Sequence, residues 1–190
     1  MRVGLAFIAG VIGGAVMIGL FAIAQAFGWT DLNFALIWGS MITQNTSAGT
    51  WVLGFIIHLI ISGLVALIYA AVFEAIRGSS WFTGLIGGAI HAIIGGFVFA
   101  GLPAIHPAMP NLIAEPGAFA INYGTAAAVV FVVAHLIYGI IVGSMYTPVH
   151  THKLPAAVAA PPEIHEEEPV GVGHEEHVTH EEHIHDTRRR

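Results

Sequence analysis

The chain has 190 residues, of which 56% are apolar, only 9% are charged and 23 are glycine, and its formal net charge is −6. The acidic balance argues against nucleic acid as a partner, because phosphate binding needs concentrated positive charge. The absence of cysteine excludes disulfides, thiolate metal sites and thiol nucleophiles together.

The charge is unevenly divided. Residues 1–146 hold Arg2 and Arg77 against Asp31, Glu74 and Glu115, a net of −1, whereas residues 147–190 hold four basic residues against nine carboxylates, a net of −5. Two regions follow: an apolar body over 1–148 and a His/Glu-rich tail over 149–190.

Residues 3–27 are continuously apolar, and 25 residues at about 1.5 Å each reach past a hydrocarbon core of about 30 Å. Ala6, Gly10 and Gly14 give this segment a small-residue face. The stretch Ala24-Gln25-Ala26 has the form of a signal-peptidase site, but the apolar run is too long for a signal core and Arg2 is its one flanking cation, so an uncleaved span is expected. Residues 28–50 form a loop in which Thr30 or Asp31 could cap a short helix through LNFALIWGSMI, too short to span and apolar enough to lie in the interface. Asn45-Thr46-Ser47 fits a glycosylation sequon, of consequence only in a eukaryotic secretory membrane.

Residues 51–76 read as the second span and 81–102 as the third, joined by the tight turn Arg77-Gly78-Ser79-Ser80 and expected to pack as an antiparallel hairpin. Glu74 is expected to pair with Arg77 at i+3. Pro103, Pro107, Pro110 and Pro116 mark a non-helical second loop carrying His106 and Glu115, and residues 119–146 form the fourth span, closed by Pro148. Trp29, Trp38, Trp51 and Trp81 fall at span ends or in the interfacial loop, as an aromatic belt requires.

Small residues recur every fourth position on the spans, spacing that lets helix backbones approach closely in lipid. The longest such row is Gly84, Gly88, Ala92, Gly96, Ala100. Histidines sit in comparable rows: Gly54, His58, Ser62, Ala66, Ala70 on the second span, Gly87, His91, Gly95 on the third, and His135, Gly139, Gly143 on the fourth. Counted from the span ends, His91 and His135 both lie roughly 15 to 17 Å deep, with His58 roughly 10 Å below the opposite surface. Such faces also offer contacts to a second copy or to a membrane-complex partner.

Arg2, Arg77, Lys153 and the terminal arginines fall on one side of a four-span chain, which by the positive-inside rule places both termini in the cytoplasm. The reading is therefore an all-α membrane protein of four transmembrane helices, N-in and C-in, followed by a tail whose composition cannot bury enough apolar surface to order itself.

The first span, the loop DLNFALIWGSMI, then GFIIHLIISGLVALIYAAVF and the closing AHLIYGIIVGSMY resemble an uncharacterised family of small four-helix bacterial inner-membrane proteins, over about residues 3–146. The resemblance implies a four-helix inner-membrane bundle and carries no activity onto His58 or His135.

Three readings of His58, His91 and His135 stand side by side. Each imidazole could serve packing alone, hydrogen-bonding a carbonyl or hydroxyl across a helix contact. His91 and His135, level on facing helices with glycines a turn away, have the pattern of b-type haem ligands. A proton or cation path is the third reading, although the body lacks the intramembrane carboxylates such paths use. In the tail, His165, His174, His177, His180, His183 and His185, interleaved with Glu, suit weak binding of Zn²⁺, Ni²⁺ or Cu²⁺. No phosphate-cradling loop, metalloprotease helix or serine–base pair is present, so the chain is expected to be non-enzymatic.

Overall fold

The computed structural model describes residues 1–149; the expected tail, with its disorder and its histidines from His150 to His185, lies outside the described residues. The described chain forms five α-helices: α1 (Val3–Ala26), α2 (Phe34–Thr43), α3 (Ala48–Ala75), α4 (Trp81–Gly101) and α5 (Thr125–Met145). Four of them, all but α2, are long and apolar enough to cross a membrane.

The starts of the helices follow from local side chains. Ser47 caps α3 by accepting from the Thr50 amide at 3.3 Å, and Ser80 and Thr83 cap α4 reciprocally. The cap of α2 is Asn33, whose side chain accepts from the Leu36 amide at 3.1 Å. Neither Thr30 nor Asp31 caps it: the Thr30 hydroxyl instead accepts from the Leu32 amide and donates to the Tyr123 carbonyl, tying the two loops together.

The fourth span begins later than its apolar composition predicts. Ala118–Tyr123 is 3₁₀-like, with Phe119 at φ 54° and Ala120 at φ 63°, and α5 starts only after Gly124. These six residues hold the second loop, since Asn122 donates to the Glu115 carbonyl at 3.2 Å and the Tyr123 hydroxyl to that of Ala114 at 2.9 Å.

Nor does α2 lie flat on a surface. The Gln25 side chain donates to the Leu32 carbonyl at 2.6 Å and Phe34 stacks on Phe21 at 5.1 Å, so the chain turns back alongside α1 before α2 begins. α2 then runs out antiparallel to α3, pressed onto it where Gly39 meets the Thr50 backbone and Gly54 that of Ala35. His106 fastens the second loop over it, donating from Nε2 to the Ile37 carbonyl at 2.8 Å.

Around the bundle the packing order is α3, α1, α5, α4. The α4–α5 seam is backbone on backbone, with Gly84 and Gly88 against Gly139, Gly143 and the His135 carbonyl. α3 and α4, joined by a tight turn and expected as a packed hairpin, diverge instead: α1 and α5 hold them apart. Ile56, Ile60, Leu64 and Ile68 on α3, and Ile86 and Ile90 on α4, stand about half exposed, so the outer surface is apolar as a lipid-facing one must be.

A candidate site in the cleft between α3 and α4

Because α3 and α4 splay, a cleft of about 560 Å³ opens between them. All three intramembrane histidines line it, which the spacing along separate helices does not reveal. His135 donates from Nδ1 to the Phe131 carbonyl at 2.7 Å; a carbonyl only accepts, so the hydrogen is on Nδ1 and Nε2 keeps a bare lone pair. Nε2 faces Gly95, where an added Cβ would stand 3.1 Å from it. Gly95 thus makes room for the ring.

His91 and His135 meet at right angles, ring centroids 4.7 Å apart. Tyr69 lies edge-on to His91 at 6.0 Å, and Tyr138 contacts both Tyr69 and His91 at 5.7 and 5.4 Å. Tyr138 donates its hydroxyl to the Ser62 carbonyl at 2.5 Å, while the Ser62 hydroxyl lies 3.4 Å from His58 Nε2. His58 in turn packs edge-on against Phe34 at 5.0 Å.

Hydrogen bonding in the cluster is incomplete. Among the described residues, the buried side-chain polar atoms without a partner are Trp38 Nε1, Tyr69 Oη and His91 Nδ1, and all three residues line the cleft. Buried polar groups are otherwise nearly always paired, so three in one cavity set it apart. A second, shallower groove of about 660 Å³ beside Ala118 and Phe119 is apolar apart from Thr125.

The sequence reading does not bring Tyr69 and Tyr138 to the site, although both carry a signal, and it places Trp38 elsewhere. Tyr69 follows His58 by eleven residues, about three helical turns on one face, and Tyr138 follows His135 by three. Trp38 was assigned to the aromatic belt; it turns into the cleft, while Trp29, Trp51 and Trp81 remain at helix ends and exposed.

Of the small-residue row on α4, Gly84 and Gly88 lie at the α5 backbone, Ala92 is buried and Gly96 accommodates the Phe119 ring. Ala100 is exposed, and the last turn packs through Phe99 and Leu102 instead. A strict four-residue row drifts about 40° per step on a 3.6-residue helix, so its far end leaves the contact face.

At the end of the bundle where α1 and α4 begin, Glu74 is bound by the N-terminal amine at 3.5 Å, the Tyr146 hydroxyl at 2.6 Å and the Val149 amide at 3.2 Å. The ion pair seen for Glu74 among the described residues is to the N-terminal amine rather than to Arg77, which sits past the helix end at φ 54°. Arg2 and Arg77 both lie at this end, with the Arg2 amide donating to the Tyr146 hydroxyl at 3.1 Å. Burial, and then the bond to Glu74, hold the Tyr146 phenol above its ordinary pKa.

The haem reading does not fit this arrangement. Axial imidazoles stand on opposite faces of the porphyrin, whereas the His91 and His135 rings are in direct contact with no space for a plane between them. Among the described residues no group of three His, Cys, Asp or Glu side chains is placed to hold a metal ion.

Fold and cleft together define a small four-span membrane protein, all-helical over its described residues, with a cluster of histidine and tyrosine side chains inside the bundle. The chain belongs to a family of unknown function, DUF6789, whose model matches residues 1–157. No curated protein and no solved structure matches it.

Proposed function

We propose that this chain is a non-catalytic protein of a bacterial cytoplasmic membrane, with both termini in the cytoplasm, that receives a membrane-dissolved molecule in the α3–α4 cleft. The observation that carries the reading is the splay itself. Consecutive helices joined by a tight turn leave between them a cavity of about 560 Å³, a volume typical of small-molecule sites, and its rims are lined by isoleucine and valine. Lateral access from the bilayer suits an apolar guest. The gathering of Arg2 and Arg77 at one end supports the cytoplasmic placement of that end.

Two measurements test this. With no native cysteine, Thr147→Cys and Asn111→Cys, both at exposed positions, are expected to react with a membrane-impermeant maleimide from opposite sides, Asn111→Cys from the periplasm. Both reacting from one side overturns the topology. For the cleft, decylbenzene added to the protein in nanodiscs is expected to change the fluorescence of Trp38, and an Ile90→Phe block at the cleft mouth is expected to abolish the response that Trp38→Phe also removes.

A further inference from the structure

The polar atoms at the base of the cleft constrain what enters it. Tyr69 is 8% exposed, and its hydroxyl offers a donor with no partner. Trp38 Nε1 is a second unpaired donor, and His135 Nε2, with its hydrogen committed at Nδ1, is an acceptor on the lining. His91 Nδ1 is unpaired and serves either way according to tautomer. The guest therefore carries oxygen groups that accept, and any hydroxyl among them finds an acceptor in His135 Nε2.

It also carries no charge. The lining has no Asp, Glu, Lys or Arg, and a charged head near the middle of the membrane would find no counter-ion there. This argues against a phospholipid head. A plain acyl chain would fill the volume but leave Tyr69, Trp38 and His91 unpaired. Phe34, Phe99 and Phe131 face the same space with Tyr69 and His91, surfaces on which a flat ring packs well. Ile86, Ile90 and Ile94 on one rim and Ile61, Ile68 and Val72 on the other leave an apolar exit for a tail.

We propose that the guest is of the quinone–quinol class: a neutral aromatic or quinonoid ring with oxygens on opposite sides and a hydrocarbon tail, its head held between Tyr69 and the His91–His135 pair. This rests on the cleft being a site for a membrane-dissolved molecule and adds the head group to that reading. Binding alone is meant, with no electron transfer.

The test uses the full chain in nanodiscs, titrated with a decyl-substituted benzoquinone and, separately, with decylbenzene, by quenching of tryptophan fluorescence corrected with Trp38→Phe. The quinone is expected to bind at least about tenfold tighter than decylbenzene, since each satisfied hydrogen bond is worth about fivefold. Tyr69→Phe and His91→Leu are each expected to weaken the quinone by about fivefold and leave decylbenzene unchanged. Ile90→Phe, at a half-exposed position that does not disturb the core, is expected to weaken both and keeps the test valid should a cluster variant fail to fold. Equal affinity for the two probes, or a quinone affinity indifferent to Tyr69→Phe and His91→Leu, overturns the quinone assignment while the cleft remains a site for apolar molecules. Binding of neither probe overturns both readings.

Discussion

Gly84 and Gly139 cross backbone on backbone: a Cβ built on Gly139 would stand 2.7 Å from the Gly88 nitrogen and 2.8 Å from its Cα. Without a hydrophobic force between helices in lipid, this close approach is what holds α4 to α5, and it carries His91 against His135. Gly139→Ala is therefore expected to cost about 1–3 kcal/mol or more, because a helix backbone cannot yield as a side chain can. Gly19→Ala, where an added Cβ meets nothing within 4 Å, is expected to be neutral or to stabilise by up to about 1 kcal/mol. Thermal unfolding in mild detergent compares them, and an equal response of the two would refute the seam as the controlling contact.

His106 is placed to lock the outer loops. Its Nδ1 accepts from the Ala108 amide at 3.2 Å, which puts the hydrogen on Nε2, the atom that donates to the Ile37 carbonyl. Both bonds are buried. His106→Ala is expected to destabilise the chain by about 1–3 kcal/mol and to expose residues 102–117 to limited proteolysis while the four spans stay intact. Unchanged digestion in the variant would show that the Asn122 and Tyr123 bonds hold the loop without His106.

The Tyr146 hydroxyl joins the Arg2 amide to Glu74, and its pKa is raised by burial first and by the Glu74 bond second. A phenol whose folded pKa lies above its unfolded value contributes stability that is whole below about pH 10 and is lost as the pH rises through the folded value. Tyr146→Phe is expected to lower stability at pH 7 by about 1–2 kcal/mol, and the gap from the parent chain is expected to narrow in alkali. Melting curves at pH 7 and above pH 10 check it; a gap constant with pH would mean that the hydroxyl acts by packing alone.

Residues 150–190 give a prediction from composition alone. Metal binding there, on His165, His174, His177, His180, His183 and His185, is expected at micromolar affinity or weaker, with proton release. Between about pH 7 and 5 the imidazoles charge, ligands are lost and binding collapses. Calorimetry with Zn²⁺ and Ni²⁺ on the full chain and on a chain ending at residue 149 separates tail from body. Equal heats in the two would assign the metal to the body, and binding indifferent to pH would exclude histidine as the ligand.

Much of the bundle was legible in the sequence. The spans and the shared depth of His91 and His135 depend on hydropathy and helical period, which are properties of neighbouring residues. The start of the fourth span is not legible because AFAINY is apolar enough to continue a helix, yet its Asn122 and Tyr123 side chains are spent on loop carbonyls seven and nine residues back. Proximity along the chain pairs Glu74 with Arg77, whereas the structure shows the N-terminal amine and Tyr146, far away in sequence, bound to it.

By itself the sequence determined that the chain forms membrane-length helices, how many, and which end collects the basic residues, because a bilayer of fixed thickness reads length and polarity segment by segment. Only the tertiary structure decided which helices touch. Pairing in lipid depends on how closely whole surfaces fit, so Gly84, Gly88, Gly139 and Gly143 joined α4 to α5 and left α3, its neighbour along the chain, standing away. That separation turned three histidines on three helices, with Tyr69 and Trp38, into the lining of one cleft.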